Sequence, residues 1–83
     1  MGHYKEALEK YKESLKIKGK VLGGSHPSFA ETLNNIGLLY HKKGEYDKAL
    51  EKYDECLRIK RESLGEAHPS YASTLNNIGV TYH

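Results

Sequence analysis

Five histidines, one cysteine and two asparagine pairs are the residues of this chain whose types could do chemistry. Histidines suggest zinc, but zinc is held by several ligands converging on one point. His26 and His68 lie 42 positions apart, and so do His41 and His83. That spacing reflects a repeated segment rather than a ligand set, so no metal site is expected. Cys56 would need a positioned base or a cationic neighbour to act as a nucleophile. Its counterpart one period earlier is Ser14, which fits a small core residue better. A single Cys also excludes an internal disulfide and fits a reducing, cytoplasmic setting. With no paired acid and base and no glycine-rich phosphate loop, no catalytic residue and no cofactor are expected. The asparagines remain. Asn34–Asn35 and Asn76–Asn77 each offer amide donors and an acceptor, suited to gripping a peptide backbone or a neighbouring helix.

The elements that must position these residues announce themselves by repetition. "HPSFAETLNNIG" at 26–37 returns as "HPSYASTLNNIG" at 68–79, and "GHYKEALEKY" at 2–11 as "GEYDKALEKY" at 44–53. Displacing the chain by 42 positions pairs 41 residues, of which 25 are identical. A fixed period of this size marks a stacked-repeat architecture.

Within each period two helix types alternate. After Gly44, the residues Tyr46, Ala49, Leu50, Tyr53, Cys56, Leu57 and Leu64 recur at three- and four-residue steps along one face. Gly65 supplies a stop. Ile59 falls off this stripe, as it should if the helix has neighbours on two sides. The second type opens at Pro69, or at Pro27 in the earlier copy, since proline is tolerated at the first helical position. Ser28 and Glu31 offer a capping box as the other start. Ala30, Leu33, Ile36, Gly37 and Tyr40 then share the buried face. Glycine inside a helix costs about 1 kcal/mol against alanine, so Gly37 and Gly79 predict close helix crossings. With the Pro-led helix named A and the Gly-led helix B, the order is B–A–B–A over roughly 4–22, 27–42, 46–64 and 69–83. Leu33, Ile36, Leu50, Tyr53 and Leu57 are the expected core, with the tyrosines at 4, 11, 40, 46, 53 and 82 on buried faces.

Leu33, Ile36, Gly37, Tyr40, Gly44, Tyr46, Ala49, Tyr53, Cys56 and Leu57 fall where a tetratricopeptide repeat keeps its signature residues, and the chain resembles that family along its whole length. Cys56 takes the place of a small Ala and Leu33 that of a Trp. Arg61 stands where the family's terminating Pro would be, so helix B runs on and the period exceeds the usual length of about 34 residues. "LGEAHPSYASTLNNIG" is similar to the long repeats of kinesin light chains and nephrocystin-3-like proteins. The resemblance implies an all-α, right-handed superhelical array of antiparallel helix pairs that binds an extended peptide in a concave groove lined by A helices. On a helical wheel Asn34, Asn35, Leu38 and His41 point away from the core face, with Glu31 and Lys42. Asn76, Asn77, Val80 and His83 follow from the next copy. Asn35 and Asn77 match an Asn that holds peptide carboxylates in chaperone-binding relatives. Those relatives also carry Lys one position earlier and Asn three later, where Asn34 and Leu38 stand. The asparagine pairs therefore either grip a ligand or fix the stacking of the helices.

Thirteen Lys and Arg against 11 Asp and Glu give no electrostatic case for nucleic acid or an anionic membrane. No apolar run is long enough to span a bilayer. The expectation is one domain, a half repeat at 1–25, a full repeat at 26–67 and a half repeat at 68–83. Its function is that of a non-enzymatic protein- or peptide-binding scaffold. A second expectation is structural: the half repeats expose apolar faces (Tyr4, Leu8, Tyr11 and Leu15 at one end, Leu75, Ile78 and Tyr82 at the other) through which copies stack into a homo-oligomer.

Overall fold

The computed structural model describes residues 3–82; Met1, Gly2 and His83 lie outside that range. Four α-helices follow one another: α1 Tyr4–Val21, α2 Pro27–Lys42, α3 Tyr46–Ser63 and α4 Pro69–Tyr82. Element order and type agree with the periodicity, and each end falls within a residue of its expected place.

The starts of α2 and α4 are set by a device the sequence pattern did not reveal, whereas α1 and α3 begin without a side-chain cap. Pro27 is the first helical residue, and His26 is the cap: its Nδ1 accepts a hydrogen bond from the Ser28 backbone N–H at 3.0 Å. His68 caps α4 in the same way through Ser70 N–H at 3.0 Å. The capping box of Ser28 and Glu31 does not form, because Ser28 is already inside the first turn. A histidine with a free Nδ1 lone pair does what Ser or Asp usually does, satisfying one of the orphan donors of the first turn. At the other end of α3, Gly65 adopts φ 88° and donates its N–H back to Lys60 O at 3.0 Å, closing the helix. Only glycine takes that left-handed turn without steric cost.

The four helices make a slab of 35 × 32 × 16 Å. α2 sits at its centre, packed most extensively on α3 and also touching α1 and α4, while α3 packs on α4. No Cα atom of α1 comes within 8 Å of one in α3. The A helices α2 and α4 thus approach each other, whereas the backbones of the B helices α1 and α3 do not. Two clusters form the core. Ile36, Tyr40, Ala49 and Tyr53 pack together against Leu8, Tyr11, Leu15 and Ile78; Ala30, Leu33 and Cys56 pack against Leu15, Phe29 and Ile59. Full burial of a side chain such as Leu33, Ile36 or Tyr53 contributes about 1.5–3 kcal/mol.

Part of the expected core is corrected. Leu50 and Leu57 are half-buried, because the α3 face they occupy is only partly covered by its neighbours. Tyr46 and Tyr82 are exposed and Tyr4 and Tyr11 half-buried, so of the six tyrosines placed in the core only Tyr40 and Tyr53 are buried. Tyr71, not among them, is buried. Gly37 does mark a close crossing: a Cβ there would lie 2.7 Å from the Tyr53 ring. Gly79 does not, since a Cβ there meets nothing within 4 Å. No described helix follows α4 to cross it.

Candidate functional site

One face of the molecule is built from the outward residues of α2 and α4. Because both helices repeat one sequence, their outward residues come in register, and side chains from the two meet along the seam. Asn77 Nδ2 donates to Asn34 Oδ1 at 3.0 Å. Thr81 Oγ1 donates to the Asn77 carbonyl at 2.9 Å and lies 2.9 Å from His41 Nδ1. Together these bonds lace α2 to α4.

Beside this lacing lies a small hollow of about 50 Å³, lined by Leu38, His41, Tyr53, Asn77 and Val80. Four of these five are residues the sequence singled out; the fifth, Tyr53 of α3, is 1% exposed and forms the floor. Burial pushes the Tyr53 phenol above its usual range, with hydrogen bonding to Thr81 pulling partly the other way, so the floor is neutral. Leu38 and Val80 are 39% and 55% exposed and form apolar walls. Of the remaining candidates, Asn35 and Asn76 are exposed outside the hollow, while Asn34 is tied to Asn77. Lys42 is exposed, and His83 falls outside the described residues. Glu31, also exposed, is turned to another task.

That task was invisible in the sequence. Lys60 of α3 is only 2% exposed. Its ammonium donates to Glu31 at 2.8 Å, Thr74 Oγ1 at 2.9 Å and the Ser70 carbonyl at 3.2 Å, one acceptor for each N–H. A single lysine thereby clasps the A helix before it and the A helix after it. Lys18 repeats half of the pattern on α2, at 2.9 Å from Thr32 Oγ1 and 3.4 Å from the Ser28 carbonyl. The signal was present as an identity, Lys18 and Lys60 with Thr32 and Thr74, but a lysine on a charged helix reads as solvated.

Elsewhere the surface is less structured. A wider, open hollow at the α2–α3 turn is lined by Gly44, Glu45, Tyr46, Asp47 and Lys48. There hydrogen bonds from Lys43 at 2.8 Å and Lys48 at 3.1 Å hold the Glu45 carboxyl below its usual range, and the three charges answer one another. Cys56 is fully buried, and burial pushes its thiol up, away from the reactive thiolate. Among the described residues no group of three His, Cys, Asp or Glu side chains is placed to hold a metal ion, and no helix is long and apolar enough to cross a membrane.

Four consecutive helices, a 42-residue period and the packing of each helix on the next define a helical-repeat protein. The chain belongs to the tetratricopeptide-repeat family. The model of that family matches it twice, over residues 1–62 and 28–83. Among curated proteins none matches. Repeats of this family mediate contacts between proteins.

Proposed function

We propose that the chain is a non-enzymatic interaction scaffold that binds an extended peptide along the α2–α4 layer. The observation that carries this reading is the convergence of Leu38, His41, Asn77 and Val80 on one hollow. Apolar walls and a neutral floor suit a small apolar side chain of the ligand, and the exposed amides of Asn35 and Asn76 flank it, free to bond a peptide backbone. Asn34 belongs with the lacing of the helices, which divides the asparagines by role: one inner pair holds the stack, one outer pair faces the ligand. Leu38 stands where a carboxylate-gripping site needs a third polar group, so binding should not depend on a free C-terminus. The unit is a full repeat at 26–67 between half repeats at 1–25 and 68–83, and its lone buried thiol suits the reducing cytoplasm.

The test uses extended peptides selected by display against the chain. Val80→Arg fills the hollow with a long cation while leaving the core untouched, since Val80 is largely exposed. Binding of the selected peptides should fall about tenfold or more with the melting temperature unchanged. Peptides that bind the variant as well as the parent would place the ligand elsewhere.

A second reading is that copies associate through their end helices. One observation favours it: Leu75 and Tyr82 of α4 are 46% and 74% exposed, although their counterparts Leu33 and Tyr40 are core.

A further inference from the structure

The caps of α2 and α4 differ from the usual Ser or Asn in one respect: an imidazole gains a proton just below neutral pH. The bonds they make fix the direction of the effect. Each donor is a backbone N–H, of Ser28 for His26 and of Ser70 for His68, so Nδ1 can only accept. A protonated imidazole has no acceptor nitrogen. It also sets a positive charge against the positive end of the helix dipole. Nothing else at these helix starts takes the serine N–H. Pro27 and Pro69 bring no donor, and the carbonyls of His26 and His68 already accept from Phe29 and Ala30, and from Tyr71 and Ala72.

Each capped turn holds more than itself. The Ser28 carbonyl accepts from Lys18 of α1 at 3.4 Å, and the Ser70 carbonyl from Lys60 of α3 at 3.2 Å. The same two carbonyls receive the hydroxyls of Thr32 and Thr74 at 3.3 and 3.4 Å. Those hydroxyl oxygens are in turn acceptors for Lys18 and Lys60, each at 2.9 Å. Cap, serine, threonine and lysine thus form one cluster, built twice. We propose that His26 and His68 are acid-sensitive catches: a proton on each releases the first turns of α2 and α4, and with them the lysine contacts that fasten each B helix to the A helix after it. For Lys60, 2% exposed, that release strands a buried ammonium short of an acceptor.

The charges nearby do not shelter the protonated rings. α1 ends with Lys18 and Lys20, and α3 with Lys60 and Arg61. Glu66, in the loop before His68, is paired with Arg61 at 3.3 Å, and Glu31 is turned to Lys60. Among the described residues the only histidine paired with a carboxylate is His3, with Glu6. The unfolded chain therefore takes up both protons freely, whereas the folded chain gives up two caps to do so. Stability is full above the range where a free imidazole titrates, about pH 6.5, and falls as the pH drops through it.

Thermal melts of the 83-residue chain at pH 7.5 and 5.5, at constant ionic strength, read this out. Carboxylates stay ionised across that window. The melting temperature should fall by about 5–15 °C. In the double variant His26→Asn, His68→Asn an amide oxygen accepts from the same N–H and does not titrate. It should melt within about 3 °C of the parent at pH 7.5 and lose most of the fall at pH 5.5. His3, His41 and His83 remain in it, so it separates the caps from the other histidines. Lys60→Met leaves no ammonium to strand and should show a smaller fall than the parent. A parent that melts alike at both pH values, or a double variant that falls as far as the parent, would overturn the catches. An undiminished fall in Lys60→Met would overturn their link to the lysine.

Discussion

Lys60 is the residue whose role departs most from its type. A lysine with an exposure of 2% is tolerable only because each of its three N–H groups is matched, one of them by a charge. The arrangement is asymmetric: Glu31 keeps more than half of its side chain in solvent, so it can lose its partner at little cost, whereas Lys60 cannot. Glu31→Gln should therefore cost about 1–3 kcal/mol in a denaturant melt. Lys60→Met, which fits the same space without a charge, should cost less than that, and combining the two substitutions should cost little more than Lys60→Met alone. A strictly additive double-mutant cycle would show that the pair does not act as a clasp. The same asymmetry explains why the charge pattern misled: nothing in "CLRIKRES" distinguishes the lysine that turns inward from its neighbours.

At the scale of elements, the two glycines of the A helices separate intrinsic preference from packing. Both should gain about 1 kcal/mol from alanine as a better helix former. At Gly37 the new methyl would meet Tyr53 at 2.7 Å and the Ala49 carbonyl at 3.3 Å, and neither is a flexible chain end. Overpacking of that kind costs about 1–3 kcal/mol. Gly37→Ala should lower the melting temperature, and a rise would mean that α2 and α3 sit farther apart than described. Elements were the most legible part of this protein. The three- and four-residue spacing gave their type, and Pro27, Gly44, Gly65 and Pro69 gave their limits, because those signals are local. What failed depended on which neighbours were present. Leu57 and Tyr46 carry the pattern of buried residues, yet periodicity names the face of a helix and not whether another helix lies against it. The hollow was half legible for the same reason. Leu38, His41, Asn77 and Val80 declare themselves by pointing outward, whereas Tyr53 comes from the other layer and shows only once the helices are packed.

Considered as a whole, the molecule has a middle and two flanks. α2 and α3 hold most of the fully buried side chains, while α1, a helix of 18 residues, contributes none. Such a helix draws its stability from a single neighbour, with little of its own to fall back on. The consequence is a gradient of opening rather than one all-or-none transition. Amide hydrogens should exchange fastest in α1 and slowest across α2 and α3, through local openings that leave the central pair folded. Uniform protection over all four helices would show a single cooperative unit instead. In a graded molecule α1 behaves as a latch with its own melting point, and whatever settles on its outer face tightens it without touching the middle at all.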